Sequence, residues 1–117
     1  MREMMKKTVL LKVLAAAVLS SSYLAAHAGN IALGREVANQ ACVACHGADG
    51  VKVLDPSYPM LAGQYDDFLA RALTDYKSGN RKNAIMTGIA STLSKEDIAN
   101  LAAYYSSLPG PMTVVGR

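Results

Sequence analysis

The heptapeptide "ACVACHG", Ala41 to Gly47, holds both cysteines of a 117-residue chain and one of its two histidines. Two thiols three residues apart, with an imidazole directly after the second, make the pattern Cys-x-x-Cys-His, the attachment spacing of a c-type haem. On a short helical turn Cys42 and Cys45 reach the two vinyl groups as thioethers, while His46 meets the iron from the same side. Zinc is the first rival, but a structural zinc site needs four protein ligands, and Cys42, Cys45 and His46 fall one short. A thioredoxin-like dithiol needs a strand-and-helix setting, which the flanking sequence lacks. A disulfide between the same two cysteines closes almost no loop and so gains little stability.

Something must carry such a chain out of the reducing cytoplasm, and the amino terminus supplies it. Arg2, Lys6 and Lys7 precede the apolar run Val13 to Leu19, which leads through three serines to Ala26-His27-Ala28. That is the three-part layout of a secretory signal, with small residues where a signal peptidase reads. Lys12, the serines and His27 interrupt the ~20 apolar residues that a membrane span requires. The expected division is therefore a cleaved leader, residues 1–28, and one domain, residues 29–117, delivered to the periplasm. The leader takes Arg2, Lys6, Lys7, Lys12 and Glu3 with it, leaving eight basic and eight acidic residues. The basic character of the full chain belongs to the export signal, so it gives no argument for nucleic-acid binding.

The remaining residues must position the thiols and the imidazole, and their periodicity is helical. Asn30 is set to cap a first helix starting at Ile31, which delivers the cysteines at its end. The Gly-, Pro- and Asp-rich stretch from Gly47 to Gly63 reads as a wrapping loop. Phe68, Leu69, Ala72, Leu73 and Tyr76 make the apolar stripe of a second helix, Tyr65 to Ser78, stopped by Gly79. The segment "NRKNAIMTGIAST" reads as part loop with one or two helical turns. Ser94 with Asp97 forms a capping box for a last helix through Ile98, Leu101, Ala102 and Tyr105, ended by Pro109. No segment alternates with period two, so the expected class is all-α.

The stretches "ACVACHGADG", "YPMLAGQ", "LTDYKSGNR", "IMTGIASTLSKEDI" and "LAAYYSSL", in this order from Gly34 to Pro109, resemble a class I cytochrome c of the small bacterial periplasmic kind. The resemblance implies the cytochrome c fold, three main helices wrapped around one covalently bound haem c. It implies that His46 is the proximal ligand, that the Pro59 carbonyl accepts its other ring proton, and that a methionine binds the distal face. It also implies that Gly34 packs closely on Leu101 and Tyr104. Ala38 departs from the pattern, standing where that helix contact is commonly aromatic, so either the crossing is less tightly filled or Tyr105 compensates. Of the methionines beyond the leader, Met86 matches the distal ligand position and lies where the chain crosses the open face. Met60 follows Pro59 on the proximal side, and Met112 falls in a tail after Pro109-Gly110-Pro111, where fraying is the default.

Iron held by His46 and Met86 has no vacant position for a substrate. The expected activity is one-electron transport in a respiratory chain, with no catalytic residues and no small-molecule substrate. Redox proteins are the expected donors and acceptors, with transient contact to membrane respiratory complexes. Lys52, Lys77, Arg81 and Lys82 are candidates for local charge steering. A haem subunit of a periplasmic oxidoreductase complex is the alternative, followed by a haem sensor or gas-binding protein, which requires an open distal side.

Overall fold

The Asn30 side chain accepts the Leu33 amide at 3.0 Å and opens helix α1, Ile31–Ala41. The computed structural model describes residues 1–7 and 28–113, so most of the expected leader lies outside the described residues. After α1 the backbone breaks at Cys42 and resumes as a single turn, α2, Val43–His46. Helix α3, Asp66–Ser78, opens with Asp66 and Asp67, whose charge complements its amino-terminal dipole. It ends at Gly79, whose φ of 83° is the left-handed closure that a side chain disfavours. Helix α4, Ala84–Ser91, is capped by Asn83, and α5, Lys95–Ser107, by Ser94. The capping box is complete: Asp97 N–H donates to Ser94 Oγ at 2.9 Å, and Ser94 N–H to Asp97 Oδ2 at 2.8 Å. No strand occurs among the described residues.

Helix α5 is the centre of the packing, with α1 crossing it on one side, α3 lying against it on another, and α4 resting on α3. The α1 crossing is close because Gly34 has no side chain. A Cβ built there would stand 2.0 Å from the Asn100 carbonyl oxygen and 2.8 Å from Tyr104 Cβ. The resemblance pointed to Leu101 and Tyr104; Tyr104 is there, and the nearest atoms come from the Asn100 backbone. Leu101, 1% exposed, is the largest fully buried side chain among the described residues, in the core beneath the cavity. The same crossing reaches back to the expected start of the mature chain. Asn30 N–H donates to Asn100 Oδ1 at 2.7 Å, and Gly29 lies flush against the Ala99 carbonyl.

The core joins Ala38, Leu69, Leu93, Ile98, Leu101, Ala102, Tyr104 and Tyr105. Ala38 is fully buried although small. Tyr104 and Tyr105 belong to the same core, their ring centroids 5.0 Å apart and planes tilted by 58°. The Lys77 ammonium donates to the Leu93 carbonyl and ties the end of α3 to the turn before α5.

The chain beyond α5 is ordered by contact rather than frayed as far as Thr113. Gly63, at φ 79°, would put a Cβ within 2.9 Å of three Thr113 atoms, and a Cβ at Gly110 would meet Ala62. Thr113 N–H donates to the Gly110 carbonyl at 2.9 Å, and Gly110 N–H donates to Thr113 Oγ1 at 3.1 Å. Close approach at two glycines thus holds the tail against the loop, where a Pro-Gly-Pro sequence alone reads as an escape from structure.

Candidate functional site

The break at Cys42 sets the geometry of the heptapeptide. Cys42 closes α1 by donating its N–H to the Ala38 carbonyl, and its own carbonyl accepts from both Cys45 and His46, at 3.2 and 3.0 Å. Residues three and four apart on such a turn share a face, and all three side chains open into one cavity. The two thiols are unbonded and half-buried. Burial pushes the Cys42 thiol above its ordinary pKa, with the nearby Tyr105 opposing the rise and Cys45 adding to it.

His46 is buried and its orientation is fixed by a single bond, Nδ1 to the Pro59 carbonyl oxygen, at 2.8 Å. A carbonyl can only accept, so Nδ1 carries the proton and Nε2 keeps the free lone pair. The loop that brings Pro59 there is itself held by turns. Asp49 accepts the Val51 and Lys52 amides at 2.9 and 2.8 Å, and Asp55 accepts the Ser57 amide and hydroxyl. These bonds hold both carboxyls below the usual carboxylate range. The Leu54 amide returns to the Cys45 carbonyl at 2.9 Å, and Leu61 to that of Gly50 at 2.8 Å. Tyr58 stands beside the imidazole, ring centroids 6.3 Å apart.

The cavity measures about 530 Å³, and its walls are chiefly apolar side chains of α3, α4 and α5, among them Phe68, Leu69, Leu73, Ile85, Ile89 and Leu101. Met86 lines it from α4, where the Asn83 cap accepts the Met86 amide at 3.0 Å. Met60 and Met112 line it too, each over two-fifths exposed. The sequence reading separated the three methionines, and the fold brings all of them to the cavity. Met112 arrives because the tail folds back on Ala62 and Gly63. Gln64 also lines the cavity while its Oε1 accepts the Tyr65 amide. Arg81 is exposed, its guanidinium 5.0 Å above the Tyr76 ring, and both side chains border the cavity; Lys52, Lys77 and Lys82 do not line it.

Four observations make these residues a fit for a haem. The space is of cofactor size. Phe68 and Ile85 stand 50% and 57% exposed on its wall, apolar surface that a large flat ring would cover. The donors are chemically matched: two free thiols, an imidazole with its Nε2 lone pair available, and thioether sulfurs. The Tyr105 hydroxyl, on the same wall, is buried with no hydrogen-bond partner of ordinary geometry. Among the described residues no three His, Cys, Asp or Glu side chains gather as they would around a bare metal ion.

Residues 31–109 match the Cytochrome c family. The chain is 48% identical over 83 residues to cytochrome c-554(548) of Halomonas halodenitrificans, covering 68% of this chain and 98% of that protein. It is 42% identical over 106 residues to the thiosulfate dehydrogenase electron acceptor of Thiomonas intermedia, covering 86% of this chain but 48% of that one. The solved cytochrome c4 of Acidithiobacillus ferrooxidans superposes with a TM-score of 0.64 at 34% identity, over 69% of this chain and 51% of its own. The chain therefore spans nearly all of one relative and about half the length of the others.

Proposed function

The chain belongs to the cytochrome c family, whose members hold haem c covalently, and we propose that it is an exported one-electron carrier in which His46 and Met86 ligate the iron. Cys42 and Cys45 are the thioether-forming residues. When bound, the haem supplies a ferric/ferrous couple that exchanges one electron with a redox partner. The observation that carries the reading is the convergence of Cys42, Cys45, His46 and Met86 on one apolar cavity.

The roles of the side chains follow from their chemistry. The Pro59 carbonyl fixes the His46 tautomer and aims Nε2, and a carbonyl acceptor on Nδ1–H makes the ring a stronger donor. The Met86 sulfur is a soft ligand that favours ferrous iron, and the apolar wall excludes water, which disfavours the added charge of the ferric state; both raise the potential. With His46 and Met86 both holding the iron, no ligand position would be left for oxygen or a substrate, and the domain would have no catalysis of its own. Such a carrier works in the periplasm, with cleavage after Ala28. The docking of Gly29 on α5 supports a domain boundary at that point.

The test is Met86→Ala in the haem-loaded protein. Loss of the ferric methionine charge-transfer band, a lowered potential and new carbon monoxide binding are expected, with the haem still attached. Met60→Leu and Met112→Leu should retain the band. A wild-type spectrum and potential in Met86→Ala would refute the ligand assignment.

The likeness to a thiosulfate dehydrogenase electron acceptor favours one further reading, in which the donor is a dehydrogenase that oxidises a sulfur compound. Reduction of the ferric protein by such a purified enzyme, faster than by a small-molecule reductant of equal potential, supports it; no reduction rejects it.

A further inference from the structure

Tyr105 combines three features that packing alone does not account for. It is 3% exposed, on the α5 face that lines the cavity. Its hydroxyl has no hydrogen-bond partner of ordinary geometry, although a phenylalanine would fill the same space without burying an unsatisfied polar group. Cys42 shares the cavity wall with it and packs against the same core cluster, so the Cys42 sulfur is the polar group at hand for the hydroxyl. Burial holds the hydroxyl protonated far above neutral pH, so it is a donor throughout the working range.

We infer that Tyr105 is a positioning residue for electron transfer, its hydroxyl directing the positive end of its O–H dipole at the sulfur through which Cys42 holds the haem. This rests on Cys42 forming a thioether, as proposed above. A thioether sulfur is a weak acceptor, so the main consequence is electrostatic. A fixed partial positive charge beside the macrocycle edge stabilises the ferrous state, which carries one positive charge fewer, and in a water-excluded site that influence is not screened. The neighbouring Tyr104 ring and the buried Leu101 hold the Tyr105 side chain in place, so the dipole is preset and need not reorganise when the electron arrives.

The experiment compares the haem-loaded wild type with Tyr105→Phe, which keeps the ring and removes only the donor. Both are first weighed under denaturing conditions; a haem-free mass ends the thioether reading and this inference with it. In loaded protein the reduction equilibrium should shift roughly two- to fivefold toward the ferric form, the scale of one neutral hydrogen bond. The thioether C–S stretching band in the resonance Raman spectrum should move as well. A role in packing alone predicts neither change, and it predicts equal or greater stability for the phenylalanine variant. An unmoved band, or an unchanged or raised potential, overturns the assignment while leaving covalent haem intact.

Discussion

Gly34→Ala adds one methyl group at the crossing on which the site depends. The new Cβ would lie 2.0 Å from the Asn100 carbonyl oxygen, roughly 1.3 Å short of an ordinary carbon–oxygen contact of about 3.3 Å. The obstruction is backbone within α5 and cannot rotate aside, so α1 must lift. A radial gap of ~0.5–1 Å forfeits about a quarter to a half of each dispersion contact along the interface. Overpacking of this kind costs about 1–3 kcal/mol, and rigid neighbours argue for the upper end. Alanine recovers roughly 1 kcal/mol of helix propensity. The net expectation is a loss of about 2 kcal/mol, or ~8–16 °C in Tm for a domain of this size. Gly88→Ala is the matched control: it is also inside a helix, but nothing lies within 4 Å of its would-be Cβ. It should gain up to roughly 1 kcal/mol. Both haem-loaded variants would be unfolded in guanidinium chloride and followed by helical circular dichroism. A Gly34→Ala protein as stable as wild type, or stabilised like Gly88→Ala, would refute the close crossing of α1 and α5.

Three other outcomes follow from the same geometry. Gly63→Ala must adopt a left-handed φ and displace Thr113, so hydrogen exchange at the Thr113 amide should accelerate while amides within α5 keep their protection. Asp49 has a folded pKa held below its unfolded value, chiefly by the Lys52 and Val51 amides. Its stabilisation is therefore full above the unfolded value of ~3.9 and is lost as pH falls through the folded one; in Tm measured from pH 6 to pH 2, the gap between wild type and Asp49→Ala should narrow below about pH 4. Mass spectrometry of protein purified from an exporting, haem-attaching host should show a chain beginning at Gly29 plus one haem that survives denaturation; a chain retaining residues 1–28 would contradict the expected cleavage.

What could be read in advance was local. Asn30, Gly79 and the Ser94–Asp97 box are helix-end chemistry decided within four residues, and the structure has all of them. The Cys-x-x-Cys-His turn is equally local, and its face is set by helical spacing. Helix α4 was only half legible, because Thr87 and Gly88 weaken its propensity and its apolar residues form no clear stripe. The signal that would have found it is Asn83, three residues before the Met86 amide it caps. Contacts between distant segments were not legible. The tail is held by Gly63 and Gly110 packing against partners some fifty residues away in sequence, so Met112 reaches the cavity for a reason that no window around it contains. That the Asn100 backbone comes nearest to Gly34 depends on the rotation of α5 about its axis, which periodicity does not resolve. Tyr105 read simply as a core aromatic, since nothing in "LAAYYSSL" reveals that it shares the cavity wall with Cys42.

Iron held by both His46 and Met86 would be closed to everything but electrons. Titration of the unmodified, haem-loaded ferrous protein with carbon monoxide at neutral pH tests this. The visible spectrum should stay unchanged at concentrations that saturate Met86→Ala. Ready formation of the carbon monoxide complex by the unmodified protein would mean an open or labile distal side, and would contradict the closed-site carrier in favour of a gas-binding haem protein.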